Sequence, residues 1–311
     1  MILYNMKIYF RRQDLSFSSE LLLLCGFVDK PQEGVINCNS KGEGRFDKVS
    51  QLCKQQISHT SNLDECDIVV FPQKYHPSHP LLPYYMTISK QHNKKLWCFY
   101  NDDNDTTFNL PEYMILWRTS FNLSKKLVNE LSIPAITADF YQGVLNKPDL
   151  TVGYCGHTIH GRKRYLAELL KSNLKTNFIL RKGFWAPGVD KFTARKEYLE
   201  NMYQNLFIFC YRGAGNFSYR FYETLMMGRI PILIDTDCVF PFTDKISIND
   251  LGIVIDEKKI DTINLIDEIT KYYNTNKDRL ESIQKNNRSI WINYYSAHGF
   301  VKTILDDFRT T

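Results

Sequence analysis

Short apolar runs bounded by Gly, Pro, Asn or Asp alternate along the chain with longer segments whose apolar residues recur at helical spacing. Runs of that length, rich in Val, Ile and aromatic residues, read as strands buried on both faces. Their alternation with helices predicts an α/β protein built on parallel sheets. In the first half the predicted strands are 6–10, 66–72, 95–100 and 114–118, with helices over 48–58 and 83–92. Residues 141–149 are polar, contain Gly and Pro, and read as a linker. A second series then begins. Its strands are 150–156, 178–181, 207–210, 230–234 and 252–255, its helices 162–171 and 218–227, and a helical tail with polar breaks covers 263–308. The expected organisation is a Rossmann-like domain over 1–145, a second one over 146–290, and a C-terminal helix at 291–311 able to cross back to the first domain. In open parallel sheets ligands bind beyond the carboxyl ends of the strands, so the loops that follow strands are where chemistry is expected.

Composition narrows the function. The 311 residues carry 39 basic and 34 acidic side chains, a formal charge of +5. That mild excess suits an anionic ligand such as a nucleotide and is too dispersed for a nucleic-acid track, so no nucleic-acid partner is expected. The eight cysteines are widely spaced with no C-x-x-C pair, which argues for buried thiols and against a zinc site or a disulfide framework. Arg11 and Arg12 follow the first apolar run instead of preceding it, unlike a signal peptide, and the run at 21–28 is too short to span a bilayer. The expectation is a chain without a transmembrane segment in the cytoplasm, or the host cytoplasm if the AT-rich bias towards Asn, Lys, Ile and Tyr reflects a viral source.

The most informative stretch is 207–242, FIFCYRGAGNFSYRFYETLMMGRIPILIDTDCVFPF. It reads as strand, glycine loop, helix, strand, loop. Gly213 and Gly215 would let the backbone approach a ligand and take positive φ. Ser218 is placed to cap the next helix, whose amino end suits a diphosphate. Arg212 lies at the start of the loop, and Arg220 in the first helical turn could fork onto a phosphate oxygen. Glu223, three residues on, could accept two ribose hydroxyl hydrogen bonds. The plainer readings are a cap, a helix-surface pair and a turn.

The string G-x-G-x-x-S-x-R-x-x-E followed by 224–234 resembles the signature of exostosin-family glycosyltransferases, and 152–156, Arg162, Arg164 and 178–185 resemble the start of the same domain. The likeness covers about residues 150 to 245. It implies a GT-B fold, two Rossmann-like domains facing a central cleft, with the donor held by the second domain and the acceptor by the first. It further implies inverting transfer from a nucleotide-sugar, UDP-linked by expectation, to a hydroxyl of a glycan or glycoconjugate, with no cofactor and no metal. On this resemblance Arg220 would meet the diphosphate and Glu223 the ribose, and Gly156 and Arg162 sit where a first-strand loop would meet phosphates. Arg181, after the second strand, would face the nucleotide or be a plain surface charge.

Inversion needs a base for the acceptor proton. Asp102, Asp103 and Asp105 follow the 95–100 strand and are the candidates, with His76 and His79 as rivals. His157 and His160 flank a loop without the pattern of a metal site. Trp185 and Tyr75 are candidates for sugar stacking, with core packing the default. Two other readings stay open: a fucosyltransferase-like GT-B enzyme using a GDP-sugar, and an inactive nucleotide- or glycan-binding partner subunit.

Overall fold

The structure, a computed structural model, describes residues 5–28, 38–39, 42–146, 148–159, 161–184 and 186–310. The first half forms one sheet from β1 (Met6–Tyr9), β2 (Ile57–His59), β3 (Ile68–Lys74), β4 (Lys95–Tyr100), β5 (Met114–Arg118) and β6 (Glu130–Ser132). Its spatial order is β2-β1-β3-β4-β5-β6, with every neighbour parallel. The second half forms another from β7 (Thr151–His157), β8 (Lys175–Arg181), β9 (Phe207–Cys210), β10 (Ile230–Asp235) and β11 (Ile253–Asp256), ordered β11-β10-β9-β7-β8 and again parallel. This is the expected α/β architecture of two Rossmann-like sheets. Parallel strands need both faces covered, and the residues comply: all four of β9 and the first five of β10 are buried.

The helices are α1 (Asp47–Gln56), α2 (Leu82–Gln91), α3 (Arg162–Lys171), α4 (Lys191–Gln204), α5 (Tyr219–Met226), α6 (Leu265–Asn276), α7 (Leu280–Ile290) and α8 (Ala297–Thr310). Three elements depart from the sequence reading. The helix expected over 48–58 stops at Gln56, because Ile57–His59 pairs with β1 as an edge strand. β6, three residues long, carries too little pattern to be seen. α4 was not predicted; of its residues only Asn201 and Met202 are buried, so it has no apolar stripe, and its amino end is held by Asp190, which accepts from Phe192 N and Thr193 N.

The chain's end ties the halves together. α7 runs through a π-helical turn, Trp291–Tyr295, into α8. There Ala297, Phe300, Val301, Ile304 and Leu305 join the core of the first half, Phe300 meeting Trp117 edge-on at 5.5 Å. Each sheet reverses its winding once, between β1 and β3 and between β7 and β9. Seven of the eight cysteines are buried, and Cys38 is partly exposed. Among the described residues no helix is long and apolar enough to cross a membrane.

Candidate functional site

The reversal between β7 and β9 opens the crevice where a doubly wound sheet binds ligands. Three segments meet there: the turn after β7 leading to α3, the glycine loop after β9, and the first turn of α5. Two arginines are buried among them. Arg162, 6% exposed, donates through Nη1 to His157 O at 3.1 Å and through Nη2 to Tyr211 O at 3.3 Å and Arg212 O at 2.5 Å. It thereby clamps the β7 and β9 loops together. Arg220, 9% exposed, donates through Nη2 to Cys155 O at 2.7 Å and lies over the Tyr154 ring at 4.3 Å. Gly156 makes room for it: a Cβ there would fall 2.6 Å from Arg220 Nη2. The Nε–H groups of both arginines are buried without a partner, and neither guanidinium is in an ion pair with a carboxylate among the described residues. Burial lowers the Arg162 pKa, and the nearby Arg220 charge adds to that. Burial also disfavours the Arg220 charge, but its neighbours, the Tyr198 and Tyr154 side chains and the Glu223 carboxylate among them, outweigh that and hold its pKa above the ordinary arginine value, so Arg162 is the less compensated of the two.

Glu223 stands one turn further along α5, also buried. It does not bond to Arg220; its partners come from α4, Arg195 Nη1 at 3.1 Å on Oε1 and the Tyr198 hydroxyl on Oε2. Arg181 is tied to Glu197 of the same helix. Arg195 and Tyr198 thus line the site unannounced by the sequence, since α4 itself was not legible there, and Tyr154 joins them from β7.

The glycine loop departs from its expected backbone. Neither Gly213 nor Gly215 has positive φ. The close approach at Gly215 is to the other half of the chain: a Cβ there would lie 2.9 Å from Asp103 Oδ1 and 2.8 Å from Asp103 Cα. At Gly213 a Cβ would meet only Phe217 O at 3.7 Å, so that backbone faces open space. Ser218 occupies the N-cap position of α5 with extended φ and ψ, but its hydroxyl makes no capping bond. The amino end of the helix is therefore uncapped by its own side chain. Between these residues Asn216, fully buried, locks the halves: its N–H donates to Ser120 Oγ at 2.8 Å and its Nδ2 to Phe121 O, Asn122 Oδ1 and Asp237 O.

The acid loop of the first half is thus brought against the glycine loop of the second. It is anchored from below by Arg118, 1% exposed, which donates to Asn104 O and Thr106 O at 3.0 Å each and pairs with Glu130 at 2.7 Å. Asp102 pairs with Lys74 at 2.8 Å. Burial pushes its carboxyl up, but Lys74 and the Asn104 N–H outweigh that and hold it below the usual carboxylate range. Asp105 faces Arg212 across the halves at 3.9 Å. Asp103 is exposed beside Gly215. His76 accepts from Ser78 N and His79 is bonded to Gln73, both away from this junction. Tyr75 is core, packed edge-on against Tyr100 and Phe108. His157 ends β7, its Nδ1 buried without a partner. Trp185 and His160 lie outside the described residues. Among the described residues no group of three or more His, Cys, Asp or Glu side chains is arranged to hold a metal.

No family model matches the chain. A stretch of 69 residues is 36% identical to a probable beta-1,4-xylosyltransferase of Arabidopsis thaliana, covering 22% of this chain and 17% of the relative. Over 69 residues it is also 33% identical to a probable glucuronosyltransferase of Oryza sativa subsp. japonica and 33% identical to one of Physcomitrium patens, covering 16% and 15% of those proteins. The matched stretch is thus a small part of these relatives' own length. Among solved structures, the crystal structure of TarM is similar with a TM-score of 0.42 and 13% identity, over 78% of this chain and 54% of TarM. A likeness of that size adds nothing to the topology described above.

Proposed function

We propose that the chain transfers a sugar from a UDP-sugar to a hydroxyl of a glycan or glycoconjugate, with inversion and without a metal. The observation that carries this reading is the pair of buried guanidiniums, Arg162 and Arg220, set at the carboxyl ends of β7 and β9 beside an uncapped helix end. A diphosphate adds the negative charge that Arg162 lacks, and the amino end of α5, without a side-chain cap, and the open backbone at Gly213 suit it. As the sugar leaves, charge builds on the diphosphate, so fixed cations here stabilise the transition state more than the ground state. On this reading Glu223, which keeps lone pairs beyond those used by Arg195 and Tyr198, accepts ribose hydroxyls. The local similarity to plant xylosyl- and glucuronosyltransferases supports the same class. The acceptor belongs on the first half, and its proton goes to a carboxylate there.

The test is release of nucleoside diphosphate from a panel of UDP-xylose, UDP-glucuronic acid, UDP-N-acetylglucosamine and GDP-fucose, each with and without EDTA. Turnover of a UDP-sugar that EDTA leaves unchanged is expected. Turnover of the GDP-sugar alone would move the chain to the fucosyltransferase-like class. Sensitivity to EDTA would end the metal-free mechanism. UDP binding with no turnover of any donor would leave a binding subunit.

A further inference from the structure

Between the halves lies a small cavity of mixed lining: Ser19, Glu20, Arg45, Asn101 and Thr119 of the first half on its polar side, Ile133, Pro134 and Ile136 on its apolar side, and Tyr219, the first residue of α5. It is sized for a water or a hydroxyl group, not a whole sugar ring. Glu20 follows β1, the strand at the winding reversal of the first sheet, and is 5% exposed. Its carboxylate accepts one long hydrogen bond, 3.4 Å from Ser19 Oγ, and among the described residues it is in no ion pair. A buried carboxylate with unused lone pairs beside a hydroxyl-sized space calls for a donor. Tyr219, which lines the same cavity, is the first residue of the helix whose amino end is read above as the diphosphate site.

Resting on the transfer reading, we propose that Glu20 is the general base and that this cavity seats the attacking hydroxyl of the acceptor. The hydroxyl gives its proton to a Glu20 carboxylate oxygen. The acceptor oxygen forms its bond to the anomeric carbon while the bond from that carbon to the diphosphate oxygen breaks. The electron pair departs with the diphosphate towards Arg162 and Arg220. Base and leaving group then approach from opposite halves, as inversion demands. The acid loop is less suited: Asp102 and Asp105 are in ion pairs with Lys74 and Arg212 and Asp103 is exposed to solvent, whereas Glu20, although Arg45 also lines its cavity, is in no ion pair among the described residues.

The test compares wild type, Glu20→Gln and Asp103→Asn for UDP release from UDP-xylose and UDP-glucuronic acid with a β-xyloside acceptor, alongside UDP calorimetry. Glu20→Gln should lower kcat at least about 100-fold, leave UDP affinity unchanged, and abolish the acidic limb of the kcat/KM pH profile. Asp103→Asn should retain both rate and limb. Glu20→Asp, which keeps the charge but draws it back by one carbon, should keep the limb at reduced kcat. Wild-type turnover in Glu20→Gln overturns the assignment, and so does loss of UDP affinity in step with turnover, the mark of a purely structural carboxylate. Absence of turnover in the wild type itself overturns the transfer reading, and is told apart because it needs no variant.

Discussion

Replacing Arg220 by Gln tests the anion site most directly. The substitution removes one of two neighbouring buried charges and keeps most of the side chain's length. In the folded protein Nη2 serves Cys155 O and Nε–H is buried without a partner. Losing one charge-assisted bond to a phosphate oxygen costs about 1.5–3 kcal/mol, a weakening of UDP binding of about 10- to 150-fold. The empty protein is destabilised as well, because Cys155 O loses its buried donor. The stack on Tyr154 is lost, a cost of about 0.5–2 kcal/mol, while relief of the repulsion with Arg162 works the other way. Titration calorimetry with UDP and with uridine separates the phosphate contribution from the rest. UDP affinity should fall and uridine affinity should hold. Equal UDP affinity in a folded variant, or a parallel loss for uridine, would refute a diphosphate at this helix end.

Gly156→Ala should act on the same bond from the other side, since its Cβ, 2.6 Å from Arg220 Nη2, pushes the guanidinium off Cys155 O; UDP affinity falls in calorimetry and uridine affinity does not. Glu130→Gln strands Arg118 as an unpaired buried cation and should cost about 3–5 kcal/mol in urea denaturation, with faster proteolysis of the acid loop that Arg118 holds. Burial, and then the Lys302 and Lys48 charges, hold the His298 imidazole below its ordinary value of 6.5. The unfolded chain therefore takes up this proton first, so the contribution of His298 is intact above pH 6.5 and is lost as pH falls below it. The fall in Tm between neutral and acid pH should be shallower in His298→Asn.

Alternation of buried apolar runs with helices sufficed to predict two parallel sheets, because a strand covered on both faces has to be apolar throughout. β9 and β10 were legible for that reason. The glycine loop and the helix after it were legible too, since glycines, an N-cap serine and an amphipathic run are signals carried by neighbouring residues. What lies opposite them was not. Glu223 bonds to α4, whose polar sequence hid it, and Gly215 touches Asp103, more than one hundred residues earlier. Local pattern encodes which residues can form an element, and it is silent on which distant loop an element will face. Glu20 illustrates this limit. In the chain it is one acid beside an apolar run, and only the tertiary structure buries it on a cavity that Tyr219 of α5 also lines. Burial and contact between remote segments are decided when the sheets come together, because the hydrophobic gain that joins them depends on area removed from water and not on order along the chain.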